Sequence, residues 1–125
     1  MTEKPEITEA PTIRMEIFIA GDLEQSKQVC REWCMKVGAC VTVELVDYIY
    51  TGGQESGIRV GLINYPRFPA EFAAVFAKAQ DLADLLMHRL CQHSYTILTP
   101  EKTYWHSRRA AETPPAPQPV QEKLL

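Results

Sequence analysis

The sequence predicts one small α+β domain with a ferredoxin-like βαββαβ order, in which an antiparallel sheet carries two helices on one face and a short extra strand follows at its C-terminal end. Three observations support this prediction: strand-like alternation near the N-terminus, two segments with helical apolar spacing, and a pair of β-branched segments between them. The chain has 125 residues, of which 46% are hydrophobic, so it can build a single core.

The two ends of the chain differ in composition from its middle. Residues 1–11 are acidic and contain two prolines, and residues 110–125 are rich in proline. We therefore expect a disordered N-terminal tail at 1–11, a folded domain at 12–109 and a Pro-rich disordered C-terminal tail at 110–125. A peptide role for the C-terminal tail, bound by a protein partner, is the alternative.

The first strand and the first helix follow from local patterns. Apolar residues alternate along residues 12–20, which predicts a strand with one buried face. Asp22, followed three residues later by Gln25, resembles the capping box that opens a helix, and Gly38 ends this helix as its cap. The helix side expected to be buried consists of Leu23, Ser26, Cys30, Trp33, Cys34 and Val37.

The middle of the chain predicts a hairpin and a second helix. Residues 40–50 and 58–65 are rich in β-branched and aromatic residues, and a flexible connection over residues 51–57 joins them. Pro66 and Pro69 stop the second of these strands, and Pro69 can occupy the first turn of the next helix. The apolar face of that helix consists of Phe72, Val75, Phe76, Ala79, Leu82, Leu86 and Leu90.

The last two strands are predicted in the segments SYTIL and TYWHS. The sheet face away from the helices would then carry aromatic residues such as Phe18, Tyr48 or Tyr50. A sheet face of this kind usually meets a partner subunit, so we expect a homo-oligomer.

Charge and composition exclude several classes of function. The net charge of −3 offers no field that would attract nucleic acid. The acidic, proline-containing N-terminus is unlike a secretory signal, and no apolar run is long enough to cross a bilayer. We therefore expect a cytoplasmic protein without a membrane segment, whose four cysteines are reduced.

Three short segments resemble the CutA family of trimeric ferredoxin-like proteins, which are related in architecture to the PII signalling proteins. Residues 38–43 are similar to the family's Ala-Ala-Cys-Val-Asn segment, residues 48–53 to its Tyr-x-Trp-x-Gly hairpin, and residues 93–95 to its His-Pro-Tyr. The resemblance implies a trimer joined by sheet edges, with a divalent-metal or small-ligand role at Cys40 and His93.

The loop between the hairpin and the second helix is the strongest candidate for a ligand site. It places an amide, a phenol and a guanidinium between two prolines, and these groups can bind an anionic or nucleotide-like ligand. The alternative is a turn whose aromatic residues pack on the second helix. The predicted ligand-binding residues are Tyr50, Arg59, Asn64, Tyr65, Arg67 and Trp105.

The sequence predicts no definite cofactor, and a divalent metal is the one candidate. Histidines and a cysteine cluster near the end of the second helix, although a histidine there is also stabilised by the helix dipole alone. Cys30 and Cys34 lie one helical turn apart, with core packing as the alternative to soft-metal binding. The predicted metal ligands are Cys40, His88, Cys91 and His93.

The sequence contains no recognisable catalytic constellation. The first hypothesis is therefore a non-enzymatic oligomeric ligand-binding or regulatory protein, with a small anionic or nucleotide-like ligand or a divalent metal at its subunit junctions. One alternative is a protein-interaction or inhibitory module that binds a larger partner protein. Another is a small metal-dependent hydrolase that uses the histidine and cysteine cluster.

Overall fold

The structure is a computed structural model that describes residues 6–109. Its elements are β1 (Arg14–Ala20), α1 (Leu23–Val37), β2 (Thr42–Tyr50), β3 (Gly53–Ile63), α2 (Phe72–Arg89), β4 (Ser94–Leu98) and β5 (Thr103–Ser107). The strands form one antiparallel sheet in the order β2-β3-β1-β4-β5. The predicted ferredoxin-like α+β fold is confirmed. The predicted tail at 110–125 lies outside the described residues.

The core lies between the sheet and the two helices. Every second residue of β1 is fully buried, and these residues pack with the apolar sides of α1 and α2. The β1–β3 register places buried residues side by side, so one sheet face supplies one wall of the core. These pairs are Met15 with Leu62, Ile17 with Val60, and Ile19 with Ile58. Within residues 6–109, neither helix has the length and hydropathy that a membrane span requires.

Both predicted caps of α1 are confirmed. The Asp22 carboxylate accepts a hydrogen bond of 2.9 Å from the Gln25 backbone N–H. Gly38 adopts a left-handed conformation with φ 72°, which allows its N–H to bond back to the last turn of the helix. The buried face differs slightly from the prediction, because Val29 is buried whereas Val37 is 39% exposed.

The hairpin is tighter than the sequence predicted. Residues 51–57 were expected to form a flexible connection, but only Thr51 and Gly52 form the turn, and β3 begins at Gly53. The Tyr48 ring crosses the sheet beside Gly57, and its hydroxyl donates a 2.6 Å hydrogen bond to the Ile58 carbonyl. Burial raises the pKa of Tyr48 to about 12. Gly57 therefore makes room for the Tyr48 ring and is part of a strand, not of a mobile loop.

The second helix begins later than predicted. Pro69 was expected in its first turn, but α2 starts at Phe72 with Glu71 as its N-cap. The residues before it form a turn instead, in which the Phe68 N–H donates to the Tyr65 carbonyl at 2.9 Å. Pro66 stands at the second position of this turn, where its fixed φ is favourable.

Two carboxylates of α2 hold aromatic side chains of neighbouring elements. Asp81 of α2 accepts a 2.7 Å bond from the Trp33 indole N–H, and Asp84 accepts a 2.6 Å bond from the Tyr95 hydroxyl. Burial, together with the bond to Asp84, raises the pKa of Tyr95. These carboxylates therefore connect α2 to α1 and to β4.

Replacing Gly57 by alanine is expected to destabilise the fold by roughly 1–3 kcal/mol, the usual cost of an added methyl in a packed site. The new methyl would lie 2.6 Å from a Tyr48 ring carbon and would overlap the Ile19 carbonyl oxygen. Urea unfolding measures the free energy. Gly53→Ala is the matched control, because its methyl would meet only the movable Tyr50 ring. Equal losses in both variants would contradict this account of the hairpin.

Candidate functional site

A cavity of about 610 Å³ opens at one end of the sandwich, between the C-terminal end of α1, the end of β3 and the start of α2. Its size falls in the range of about 300–1,000 Å³ that is typical of small-molecule sites. We call it the Tyr65 pocket. Its lining consists of Cys34, Gly38, Ala39, Cys40, Leu62, Ile63, Asn64, Tyr65, Arg67, Phe68, Ala70, Val75 and Lys78.

Four of the predicted ligand-binding residues and metal ligands line this one pocket. Asn64, Tyr65 and Arg67 were predicted as ligand-binding residues, and Cys40 was predicted as a metal ligand. They come together because β2 and β3 are paired, which brings the start of β2 beside the end of β3. The structure thus joins two predictions that the sequence kept apart.

The other predicted ligand-binding residues lie on the sheet face away from the helices. Across this face, Arg59 and Trp105 are separated by Phe18 and Thr96, which corresponds to three strand spacings, or about 14 Å. Tyr50 stands at the hairpin tip beside Gly53. Within one chain, the six predicted residues therefore form two groups on different faces and not one site. Whether any of them binds a ligand stays a prediction.

Arg59 occupies an unusual setting on that open face. Its guanidinium donates a 2.9 Å bond to Glu44, and this hydrogen bond raises the pKa of Arg59. The Nε atom of the same side chain is buried without a hydrogen-bond partner in the described part of the chain. A buried N–H without a partner is costly, so this face holds an unused donor.

The four predicted metal ligands are not brought together. Cys40 lies near the sheet end where Thr42 pairs with Gly61, whereas His93 precedes β4 at the opposite end. Nδ1 of His88 lies 3.0 Å from Nη1 of Arg108, and Cys91 is a left-handed residue, with φ 56°, after the end of α2. Among residues 6–109, no group of three or more His, Cys, Asp or Glu side chains could hold a metal ion.

The loop beside the pocket is held by a buried amide. Asn64 is 7% exposed, and its side chain donates to the Pro11 carbonyl at 2.8 Å and accepts from the Ala70 N–H at 2.7 Å. Farther along the loop, the Arg67 guanidinium lies 5.3 Å from the centre of the Phe68 ring. The loop therefore presents a cation and an exposed aromatic ring from a fixed base.

Two thiols and a phenol, those of Cys34, Cys40 and Tyr65, lie in the pocket wall, and the third thiol, Cys30, is buried in the core one helical turn from Cys34. A hydrogen bond with Cys40 raises the pKa of Tyr65. Burial raises the pKa of Cys34, with Cys40 as a further cause, and burial together with Cys34 raises the pKa of Cys30 to about 12. The sequence analysis treated Cys30 and Cys34 as one candidate metal pair and placed Cys40 in a different candidate site. The Gly38 cap turns the chain back and brings these thiols close together.

Sequence reasoning also missed Lys78, which lies on α2 and lines the pocket. Together with Arg67 it gives the pocket two cations, and the lining residues in the described part of the chain include no carboxylate or imidazole. This arrangement can hold an anionic group beside apolar and aromatic surface. It does not supply the acid and base pair that most catalytic motifs contain.

Two solved structures of other proteins are similar in fold to this chain. No protein-family model and no curated protein matches the chain. A solved structure of a phage SAM lyase in the apo state superposes with a TM-score of 0.62 and 14% identity, covering 86% of this chain and all of the lyase chain. A phage SAM lyase in complex with S-methyl-5'-thioadenosine gives a TM-score of 0.59 and 13% identity, covering 88% of this chain and all of the other.

These neighbours bear on the functional predictions. At such low identity the likeness establishes the fold. Both neighbours are structures of a SAM lyase, which is an enzyme. They therefore contradict the prediction of a non-enzymatic ligand-binding, regulatory or interaction protein. The alternative of a metal-dependent hydrolase is not supported either. The CutA resemblance stays a prediction that these neighbours do not test.

The cysteines are expected to react with iodoacetamide at very different rates in the folded protein. All four are free thiols, of which Cys30 is buried and Cys91 is exposed. At pH 8 a pKa of about 12 leaves on the order of a thousandfold fewer thiolates at Cys30 than the ordinary value of 9.0. Peptide mass spectrometry should therefore find Cys30 labelled only after unfolding. Labelling of Cys30 as fast as Cys91 would contradict the described core.

Proposed function

We propose that this chain is a lyase that cleaves S-adenosylmethionine (SAM) or a closely related sulfonium nucleoside, and that its substrate occupies the Tyr65 pocket. The observation that carries the proposal is a match over the full length of a phage SAM lyase that also forms a complex with S-methyl-5'-thioadenosine. Fold alone does not establish activity, so the remaining support has to come from the chemistry of the pocket.

The bond that breaks is defined by the chemistry of the two molecules. S-methyl-5'-thioadenosine is what remains of SAM when the bond between sulfur and the aminobutyrate chain is broken. Because a lyase adds no water, the carbon that leaves sulfur must form its new bond within the same molecule. An oxygen of the substrate's own carboxylate attacks this carbon, the electron pair of the broken bond stays on sulfur, and the products are the neutral thioether and a neutral lactone. The negative charge of the carboxylate and the positive charge of the sulfonium therefore cancel as the bond to sulfur lengthens. A pocket with an apolar wall, such as that formed by Leu62, Ile63 and Val75, solvates the cation less well than water does and favours this change.

The pocket also offers groups that match the rest of the substrate. Arg67 and Lys78 can pair with the carboxylate of the aminobutyrate chain, and the exposed Phe68 ring and the Tyr65 ring can stack on adenine. A sulfonium is already a good leaving group and needs no protonation. The proposal therefore agrees with a pocket whose described lining lacks a carboxylate or an imidazole.

Purified full-length protein is expected to convert SAM to S-methyl-5'-thioadenosine, which liquid chromatography with mass detection measures directly. Replacing Lys78 by alanine removes one proposed partner of the carboxylate and should raise KM by about tenfold, the effect of one charge-assisted hydrogen bond. Lys102→Ala is the matched control, because Lys102 lies in the turn between β4 and β5, outside the pocket lining.

Two results would count against the proposal. The first is a rate of S-methyl-5'-thioadenosine formation equal to that of SAM in buffer. The second is an active enzyme in which Lys78→Ala and Lys102→Ala behave alike and changes at Arg67 and Tyr65 also leave KM unchanged, because the activity would then lie elsewhere on the chain.

We further propose that the protein self-associates through the open sheet face, as a trimer. The face carries the Nε atom of Arg59, which has no hydrogen-bond partner among residues 6–109, and it exposes 39% of Leu98 and 42% of Trp105. Apolar and aromatic residues of this kind, beside an unused donor, are typical of subunit contacts. The CutA resemblance supports the trimer. The cytoplasmic location stays a prediction.

Native mass spectrometry of the full chain is expected to show three times the mass of a single chain. Trp105→Glu places a charge in the proposed contact and should shift the population to the monomer. Met35→Glu is the control, because Met35 is 89% exposed on α1 and lies away from this face. A wild-type monomer at micromolar concentration would overturn the proposal.

A further inference from the structure

We infer that Asn64 is a positioning residue for the Tyr65 pocket. Its amide fastens the loop that follows β3 to the segment that precedes β1, and it thereby sets the places of Tyr65, Arg67 and Phe68. The positioning itself rests on the geometry of the chain. Its effect on SAM binding rests on the function proposed above.

The bonds of Asn64 join parts of the chain that are distant in sequence. Its backbone N–H donates to the Ile13 carbonyl at 2.9 Å, which extends the β1–β3 ladder by one residue. Its side chain then reaches Pro11 on one side and the Ala70 N–H on the other, at 2.8 and 2.7 Å. One residue therefore fixes the end of a strand, the entry to the sheet and the far end of the loop.

The bonds to Pro11 and Ala70 are hard to replace. With 7% of its surface exposed, Asn64 is shielded from water, so a lost partner leaves a buried polar group unsatisfied. The amide supplies a donor and an acceptor at once, which the aliphatic neighbours Leu62 and Ile63 cannot do. Its buried position suits a supporting role better than direct contact with a ligand.

The loop closed by Asn64 is a compact unit. Between Asn64 and Ala70 the chain makes the turn from Tyr65 to Phe68, and Pro66 restricts its backbone. When the bond from Ala70 is present, the aromatic and cationic side chains of this loop line the pocket. When it is absent, the loop can move away from Cys40, the thiol that pairs with Tyr65 in the pocket wall.

The test measures pocket opening through the reactivity of Cys40 and needs neither ligand nor activity. Trypsin places each cysteine in its own peptide, so mass spectrometry can follow the iodoacetamide labelling of Cys40 separately. Cys40 is already exposed in the wild type, so in Asn64→Ala it is expected to react up to about tenfold faster, the factor that corresponds to the loss of its hydrogen bond with Tyr65. Where SAM cleavage is measurable, KM should rise while kcat stays near its wild-type value.

Thr99→Ala is the matched control. Thr99 is also 7% exposed, and its hydroxyl likewise makes several hydrogen bonds, in the turn between β4 and β5 and outside the pocket lining. A variant that only weakens the fold should leave the rate at Cys40 unchanged well below its melting temperature. If Thr99→Ala accelerates Cys40 as much as Asn64→Ala does, the positioning role is overturned.

Asn64→Asp provides a second variant in case Asn64→Ala does not fold. Aspartate keeps an acceptor for the Ala70 N–H but, when ionised, has no donor for the Pro11 carbonyl. Its labelling rate at Cys40 should therefore lie between the wild type and the alanine variant. Unchanged Cys40 labelling and unchanged KM in both variants would overturn the inference. Faster labelling without any SAM cleavage would support the positioning role and count against the proposed function alone.

Discussion

The geometry of the candidate site depends on one buried amide. At the end of β3, Asn64 continues the backbone ladder to Ile13 and then bonds through its side chain to Pro11 and Ala70. A polar group at this depth is tolerated only when its partners are in place, so it selects a single arrangement of the segments around it. The pocket exists because a strand end, a loop and an N-terminal segment must all satisfy the same side chain.

Much of the fold could be predicted from the sequence, because its signals are local. Alternation along β1, the Asp22 and Gly38 caps of α1 and the apolar spacing of α2 each depend on neighbouring residues, and the structure confirms them. The flexible connection predicted over residues 51–57 was wrong. Position 57 requires glycine because a larger side chain would collide with the Tyr48 ring, and not because the loop is flexible. That requirement is set by residues that become neighbours only after folding.

The candidate site could be predicted only in part for the same reason. The composition of the loop indicated Asn64, Tyr65 and Arg67, but sequence spacing could not show that Cys40 and Lys78 line the same cavity. The CutA resemblance also implied a metal or small-ligand role for Cys40 and His93, which the sheet register places at opposite ends of the sheet. Residues from distant segments meet through strand pairing, and a single sequence does not display the register.

The proposed chemistry also explains why the sequence contains no recognisable catalytic motif. When the substrate's own carboxylate displaces the sulfur, an enzyme can act by excluding water and by orienting its substrate, and neither effect requires an acid, base or nucleophile from the protein. In the Tyr65 pocket, the pKa values of the Cys34 thiol and the Tyr65 hydroxyl are raised, so both groups keep their protons at neutral pH. Such a wall presents hydrogen bonds and apolar surface and carries no negative charge of its own.

The proposed function requires an adenosine thioether to bind in the Tyr65 pocket. An NMR titration of ¹⁵N-labelled full-length protein with S-methyl-5'-thioadenosine locates this binding, because each backbone amide reports its own surroundings. Saturable shifts are expected in residues 38–40, 62–70 and 75–78, with the amides of the hairpin tip at Thr51 and Gly52 unchanged. Shifts confined to the open sheet face around Arg59 and Trp105, or no saturable shifts at all, would rule out the Tyr65 pocket as the binding site.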